Sequence, residues 1–286
     1  MGSSSHLSDA ELASARLMPR RRPLTWAAAG ILLIVLAEAA YSVVTNPGFG
    51  WPVVGEHIFS PQVLAGLVMT LTLTVVSMTL ALVLGIVLAV SAASKNPVLS
   101  TAAHGYIWIF RAIPLLVQII FWYNLAALYP KLGIGLPFMP SFVEFDTNSV
   151  ITAMIAAIVA MSLNEAAYMA EIVRSGLNSV DNGQREASRA LGISPLDTFM
   201  RIVMPQAMRV IIPPTGNETL SMLKYTSLVS VIALPELLYS TQLIASRTFE
   251  VIPMLLVASL WYLIVSTVLM LIQVAIERRL ARSVVR

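Results

Sequence analysis

The chain has 286 residues, 57% hydrophobic and only 12% charged, against about 25% charged in an average soluble domain. Its net charge of +3 comes from 18 basic residues spread over many segments, which is no nucleic-acid footprint. Cysteine is absent, so there is no disulfide framework, thiolate nucleophile or cysteine metal site, and His6, His57 and His104 stand too far apart to form a ligand set.

Residues 1–24 are polar and end in Arg20-Arg21-Arg22-Pro23. The apolar run behind them has no small-residue cleavage signature, so it reads as an anchor and not as a signal peptide. That run, 25–44, is long enough to cross a bilayer, which takes roughly 20 residues. Trp26 and Tyr41 lie near its ends, where rings favour the interface. Glu38 is its one charge and reads as a bundle-facing or interfacial carboxylate. Turn signals at Asn46-Pro47-Gly48, Trp51-Pro52 and Ser60-Pro61 fill the next segment, with a short interfacial helix expected at 56–64. A second span follows at 66–92. Thr70, Thr74 and Ser77 share one of its faces, either bonding back to carbonyls one turn earlier or lining a cavity. Gly85 and Ala89 offer small surfaces for close packing.

A short link with Lys95 and Asn96-Pro97 leads to a third span, read as one helix over 104–129. Arg111 near its start is expected to snorkel to the cytoplasmic interface. Gln118 is expected to bond a neighbouring helix or face a polar cavity. The loop 130–148 is rich in proline and belongs outside. The fourth span, 149–173, carries Asn164, Glu165, Tyr168 and Glu171. A fifth run, 207–234, is interrupted by Pro213-Pro214, Gly216-Asn217, Glu218 and Lys224, and reads as a kinked helix or two pieces. An outer loop is expected at 235–251, a sixth span at 252–276, and a basic tail at 278–286.

The two tails carry four Lys or Arg each, and five more lie from Arg174 to Arg209. The outer loops have one each, Lys131 and Arg247. This bias predicts an all-α polytopic membrane protein with six transmembrane helices and both termini in the cytoplasm.

The longest polar interruption is 179–209, SVDNGQREASRALGISPLDTFMRIVMPQAMR. Glu186 to Leu191 reads as a short helix ended by Gly192. Leu191 and Ile193 give it an apolar edge. Ser194 or Asp197 caps the next helix, and Pro195 fits its first turn. Two short helices with an apolar edge and charged flanks suit another protein's groove, or else a lipid headgroup layer.

The stretch resembles the EAA loop of ABC-transporter inner-membrane permeases. Glu186, Ala187, Gly192, Ile202 and Pro205 stand at that motif's spacing, with Ser188 in place of its third alanine and Met204 in place of its leucine. Ala167-Tyr168-Met169-Ala170-Glu171-Ile172-Val173-Arg174, Lys224-Tyr225-Thr226-Ser227-Leu228 and Arg111-Ala112-Ile113-Pro114-Leu115 resemble further segments of the polar amino-acid permeases of histidine/glutamine type. Tyr225 departs from that pattern by replacing an acid. The resemblance covers about 62–277 and implies a type I importer permease (MetI-like) core. The helix at 25–44 is extra relative to the five-helix form of the family.

The resemblance implies a bacterial cytoplasmic-membrane subunit that pairs with a second permease, a homodimer being favoured over a heterodimer. It implies a cytoplasmic ABC ATPase dimer seated on the 179–209 loop through Glu186, Ala187, Ser188, Leu191, Gly192 and Ile193. An extracytoplasmic binding protein would deliver a polar amino acid. The chain has no glycine-rich phosphate loop with Lys-Ser/Thr, so ATP and magnesium are expected on the partner ATPase, with no cofactor, metal or catalytic residue on this chain. Permeases of other ABC importers, for peptides or other small polar solutes, carry the same kind of loop. An ion-gradient transporter would leave the loop unexplained, and a membrane enzyme would want clustered His, Asp or Ser.

An amino acid crossing apolar surroundings needs partners for its ammonium and carboxylate. The spans offer Gln118, Asn164, Glu165, Tyr168, Lys224, Thr226 and Ser227. Glu165 either meets the substrate's positive charge or bonds Lys224 or a backbone group and only holds helices together.

Overall fold

The computed structural model describes residues 23–136 and 141–282, side chains of 23, 281 and 282 excepted. The tail with Arg20-Arg21-Arg22, His6, the prolines at 137 and 140, and the last four residues lie outside the described residues. The chain divides into two units, 1–49 and 50–286. The first holds α1 (Pro23–Thr45) and a 3-10 turn at Pro47–Phe49. Helix α1 is apolar on all sides, the pattern of a helix surrounded by lipid.

The second unit begins with the short α2 (Trp51–His57) and the long α3 (Pro61–Ala92). Helix α7 (Ala153–Asn178) packs along α3 in the most extensive helix pair of the fold. Small residues make that approach possible. A Cβ on Gly85 would stand 2.5 Å from Met169 Cβ and 3.1 Å from the Ala170 nitrogen, so the helices touch backbone to side-chain root. Leu73, Ile119, Met161, Met169 and Met222 form the buried core around this pair. The hydroxyls of α3 divide their roles. Thr74 bonds back to the Thr70 carbonyl at 2.8 Å, whereas Thr70 reaches across to Glu236.

The third apolar run is not one helix. It forms α4 (Pro97–Ala112) and α5 (Leu115–Tyr123), bent by 100° at the break. The cause is Ile113-Pro114. Proline has no N–H for the helix ladder and pushes the residue before it out of helical geometry, and Ile113 sits extended at φ −93, ψ 127. The loop expected at 130–148 contains an antiparallel pair, β1 (Lys131–Ile134) and β2 (Val143–Asp146), in register from Lys131↔Asp146 to Ile134↔Val143. A single turn, α6 (Thr147–Val150), capped by Asp146, leads into α7.

After α7 come α8 (Asn182–Ala190), the three-residue α9 (Pro195–Asp197), a π-helical turn at Thr198–Val203, and α10 (Met204–Tyr225). Of the two readings of this run, a kinked helix or two pieces, the chain does not divide at Pro213-Pro214, since both prolines lie inside α10. In apolar surroundings a helix keeps its remaining bonds, and neighbouring polar side chains serve the freed carbonyls. Gln273 braces this stretch from α12 (Val251–Arg282), donating to the Pro213 carbonyl at 3.3 Å. The break comes later, where a 3-10 turn at Thr226–Ile232 ends on left-handed Ala233, φ 56.

The outer loop expected at 235–251 is instead α11 (Leu237–Thr248), bent by 45° from the preceding helical stretch. Glu236, read as a loop charge, is fully buried and caps it. Its carboxylate accepts from Leu238 N at 2.9 Å and Tyr239 N at 2.7 Å. Thr70 of α3 and Tyr262 of α12 (Val251–Arg282) donate to it as well, the latter at 3.0 Å. Four donors on one carboxylate tie three helices together and offset the cost of burying it. Among the described residues four helices, α1, α3, α7 and α12, are long and apolar enough to cross a membrane, or six if each bent pair is one span.

Candidate functional site

A cavity of about 520 Å³ opens where the α4–α5 break meets α7 and α10. Arg111 through Leu116 form one wall, Asn164, Glu165 and Tyr168 a second, and Glu218, Ser221, Tyr225 and Leu228 a third. Helical periodicity puts each set on one face. Glu165 and Tyr168 are i, i+3, while Glu218, Ser221 and Tyr225 are i, i+3, i+7. Glu165 lies twelve residues from the start of α7 and thirteen from its end, near the middle of the bilayer if that helix spans it.

The acidic and basic side chains of the cavity are two glutamates and one arginine. Glu165 is buried, 1% exposed, and its Oε1 has no hydrogen-bond partner. An uncompensated buried carboxylate costs several kcal/mol, on the order expected for a desolvated ion. Glu218 is within electrostatic reach of both Glu165 and Arg111. The Arg111 guanidinium stands 5.2 Å over the Tyr168 ring, a cation–π distance. It lines the cavity wall at the last turn of α4, just before the break. Two acidic side chains and one guanidinium therefore share the cavity walls.

Two residues expected near the substrate serve the backbone. Gln118 Nε2 donates to the carbonyls of Phe110 and Ile113, at 3.1 and 2.9 Å. Asn164 Nδ2 donates to the Phe110 carbonyl at 2.8 Å. Both thereby satisfy acceptors that the Pro114 break orphans. Asn164 still borders the cavity, but Gln118 borders a separate apolar pocket with Phe110, Phe121 and Trp122. Lys224 and Ser227 line another hollow, with Ser259, Tyr262 and Ser266. Thr226 is buried and bonds back to the Leu223 carbonyl. No ion pair joins Lys224 to Glu165 among the described residues. Arg111, Glu218 and Tyr225 were absent from the sequence-based set, although the spacing of Glu218 and Tyr225 on one helical face was there to be read.

The polar stretch at 179–209 folds locally as its residues dictate. Asp181 caps α8 by accepting from Gly183 N. At the other end the Ile193 N–H bonds the Ser188 carbonyl and the Gly192 N–H bonds the Arg189 carbonyl. This is a Schellman stop, and it needs the left-handed φ of 69 found at Gly192. Ser194 caps α9, accepting from Asp197 N at 3.1 Å, with Pro195 in the first turn. Arg185 anchors the element by donating to the Leu177 carbonyl at 2.9 Å. Ser188 faces inward, 2% exposed, bonding the Gln184 carbonyl. Glu186, Ala187, Gly192 and the apolar Leu191, Leu196 and Met200 face outward, with Ile193 half-buried between. Leu191 is 77% and Leu196 71% exposed, on a turn held rigid by two caps.

A family model described as the binding-protein-dependent transport system inner membrane component matches residues 81–282. An arginine transport system permease protein of Corynebacterium glutamicum, ArgU, is 44% identical over 94% of this chain and 84% of its own length. The nopaline transport system permease protein NocM of Agrobacterium fabrum is 37% identical over 73% of this chain and 83% of its own. Among solved structures, an amino acid ABC transporter crystallised with histidines superposes with a TM-score of 0.65 at 32% identity, over 77% of this chain and 95% of that one. The methionine transporter MetNI shares the fold, with a TM-score of 0.59 at 18% identity over 77% of this chain and 96% of that one.

Proposed function

The chain belongs to the family of binding-protein-dependent inner-membrane transport components, and from that premise we propose that this ABC-importer permease subunit carries a polar amino acid with a cationic side chain. The observation that carries the reading is the composition of the central cavity. Glu165 and Glu218 outnumber Arg111 there. A basic amino acid has two positive groups and one carboxylate, so Arg111 suits the carboxylate and the two glutamates suit the ammonium and the side chain. The relatives named for arginine and nopaline transport support the same solute class.

In this reading the bent pairs each count as one span. The protein then has six transmembrane segments, α1 being the extra one, with both termini in the cytoplasm. The outward face around Glu186, Ala187, Leu191, Gly192 and Ile193 seats in a cytoplasmic ATPase that holds the ATP and magnesium. An extracytoplasmic binding protein delivers the solute. Two permease copies pair, since each ATPase of a dimer needs one loop. Native mass measurement of the detergent-purified complex is expected to give two copies of this chain, and a second permease sequence in the complex would overturn the homodimer.

Uptake into proteoliposomes holding the full complex tests the cargo. Arginine and lysine are expected to be taken up, with glutamate excluded at equal concentration. Uptake of glutamate in preference to arginine sinks the assignment.

A further inference from the structure

The β1–β2 hairpin has two chemically distinct faces. Residues opposite each other in an antiparallel pair share a face, and alternate pairs share it too. Leu132, Phe145, Ile134 and Val143 therefore lie together, and Lys131, Asp146, Gly133 and Glu144 lie on the reverse. The polar face is closed by an ion pair, Lys131 Nζ to Glu144 Oε2 at 3.0 Å. The apolar face is uncovered, with Ile134 66%, Val143 49% and Phe145 43% exposed. Phe142 and Leu136, just beyond the paired residues, are also exposed, at 70% and 56%. An apolar patch of this kind marks an interaction surface.

Where the hairpin is rooted decides what covers it. Its base is pinned to the end of the α5 segment, because Thr147 donates its N–H to the Pro130 carbonyl at 3.0 Å and its hydroxyl to the Tyr129 carbonyl. Each strand has four residues, about 13 Å at 3.3 Å per residue, so the ribbon cannot project far from the ends of the spans. Tyr123 at the end of α5, and Leu128 and Tyr129 between α5 and β1, are exposed as well. Tyrosine at that boundary is the signature of the membrane interface. Helix α7 has 26 residues, about 39 Å at 1.5 Å each. It therefore separates the hairpin from the 179–209 loop by the thickness of a bilayer.

We propose that the hairpin is an interfacial float: its Leu132, Ile134, Val143 and Phe145 face lies in the headgroup boundary of the leaflet opposite the 179–209 loop, with Lys131 and Glu144 toward water. The ribbon stays in the interfacial layer, where its unpaired strand edges are satisfied by water and headgroups. It thereby fixes the outer ends of α5 and α7, and so the mouth of the α4–α5 break, relative to the membrane plane.

The cysteine-free sequence makes the test direct. Single nitroxide labels on Ile134→Cys, Val143→Cys, Phe145→Cys and Glu144→Cys are read in the assembled importer in lipid nanodiscs. Molecular oxygen concentrates in lipid and a nickel chelate stays in water, so the ratio of their collision rates locates each label. The three apolar-face labels are expected to favour oxygen several-fold over the Glu144 label. Equal ratios on the two faces overturn the proposal. So does protection of the apolar face from both relaxers, whether constant, which assigns it to a second copy, or appearing only with the binding protein, which assigns it to that partner. The readout is independent of which solute is carried.

Discussion

Glu165→Gln is expected to abolish solute-dependent transport while leaving the complex assembled and its basal ATPase activity intact. The substitution keeps shape and removes charge. In the folded chain Glu165 Oε1 is buried with no donor, so no helix–helix bond is lost with the charge. In the proposed reading this side chain is free to meet a cationic group of the solute at the cavity wall. Losing one partner of a buried charge pair costs about 2–5 kcal/mol, and each 1.4 kcal/mol is tenfold, so uptake should fall roughly 30-fold or more. Glu218→Gln is expected to fall less, because Glu218 is half-buried and already faces Arg111. The measurements are uptake and solute-stimulated ATPase with the binding protein saturated. Wild-type transport by Glu165→Gln would remove Glu165 from the path. Failure of that variant to assemble would make Glu165 a structural residue.

The elements legible in the sequence are those set by neighbours in sequence. Gly192, Ser194 and Pro195 fix the stop of α8 and the start of α9 by local hydrogen bonds and dihedral preference, whereas α8 starts at Asn182, four residues before the Glu186 expected, on an Asp181 cap that was not read. The long apolar runs gave α1, α3, α7 and α12 for the same reason, since length and hydropathy are properties of the run itself. What was not legible depended on tertiary partners. Pro114 and Pro213-Pro214 look alike on paper, yet the first breaks its helix and the others do not. At Pro114 the broken end is stabilised by Gln118 and by Asn164, which arrives from 54 residues away. Glu236 looked like a loop acid because its partners, Thr70 and Tyr262, lie on other helices. The cavity was half visible. Asn164, Glu165 and Tyr168 came from one helix, but the place of Arg111 over the Tyr168 ring depends on how α4 packs on α7.

Gly192 sets the second large effect, and two nearly isosteric replacements separate its two roles. A Cβ at this position meets nothing within 4 Å in the chain itself, so only the left-handed φ of 69 constrains it there. Left-handed geometry costs an ordinary residue about 1–2 kcal/mol, but asparagine and aspartate visit it readily. Gly192→Asn should therefore leave the Schellman stop formed and uptake near wild type. Gly192→Asp has the same shape and the same tolerance, and adds one negative charge beside exposed Leu191 and Leu196. If this apolar turn is buried in an ATPase cleft, the new carboxylate is desolvated without a partner, which costs several kcal/mol. Coupling should then be lost at least 100-fold, on the scale of 1.4 kcal/mol per decade, with the spans still folded. Glu186→Ala gives a graded companion. Glu186 is exposed and makes no ion pair among the described residues, and Arg185 is already engaged by the Leu177 carbonyl. A change of roughly 0.2–1 kcal/mol would mark a solvated charge, and about 2–5 kcal/mol a contact buried against the partner. Co-purification of the ATPase and reconstituted uptake are the two readouts. Equal uptake by the Asp and Asn variants would mean that Gly192 only stops a helix and that the partner seats elsewhere.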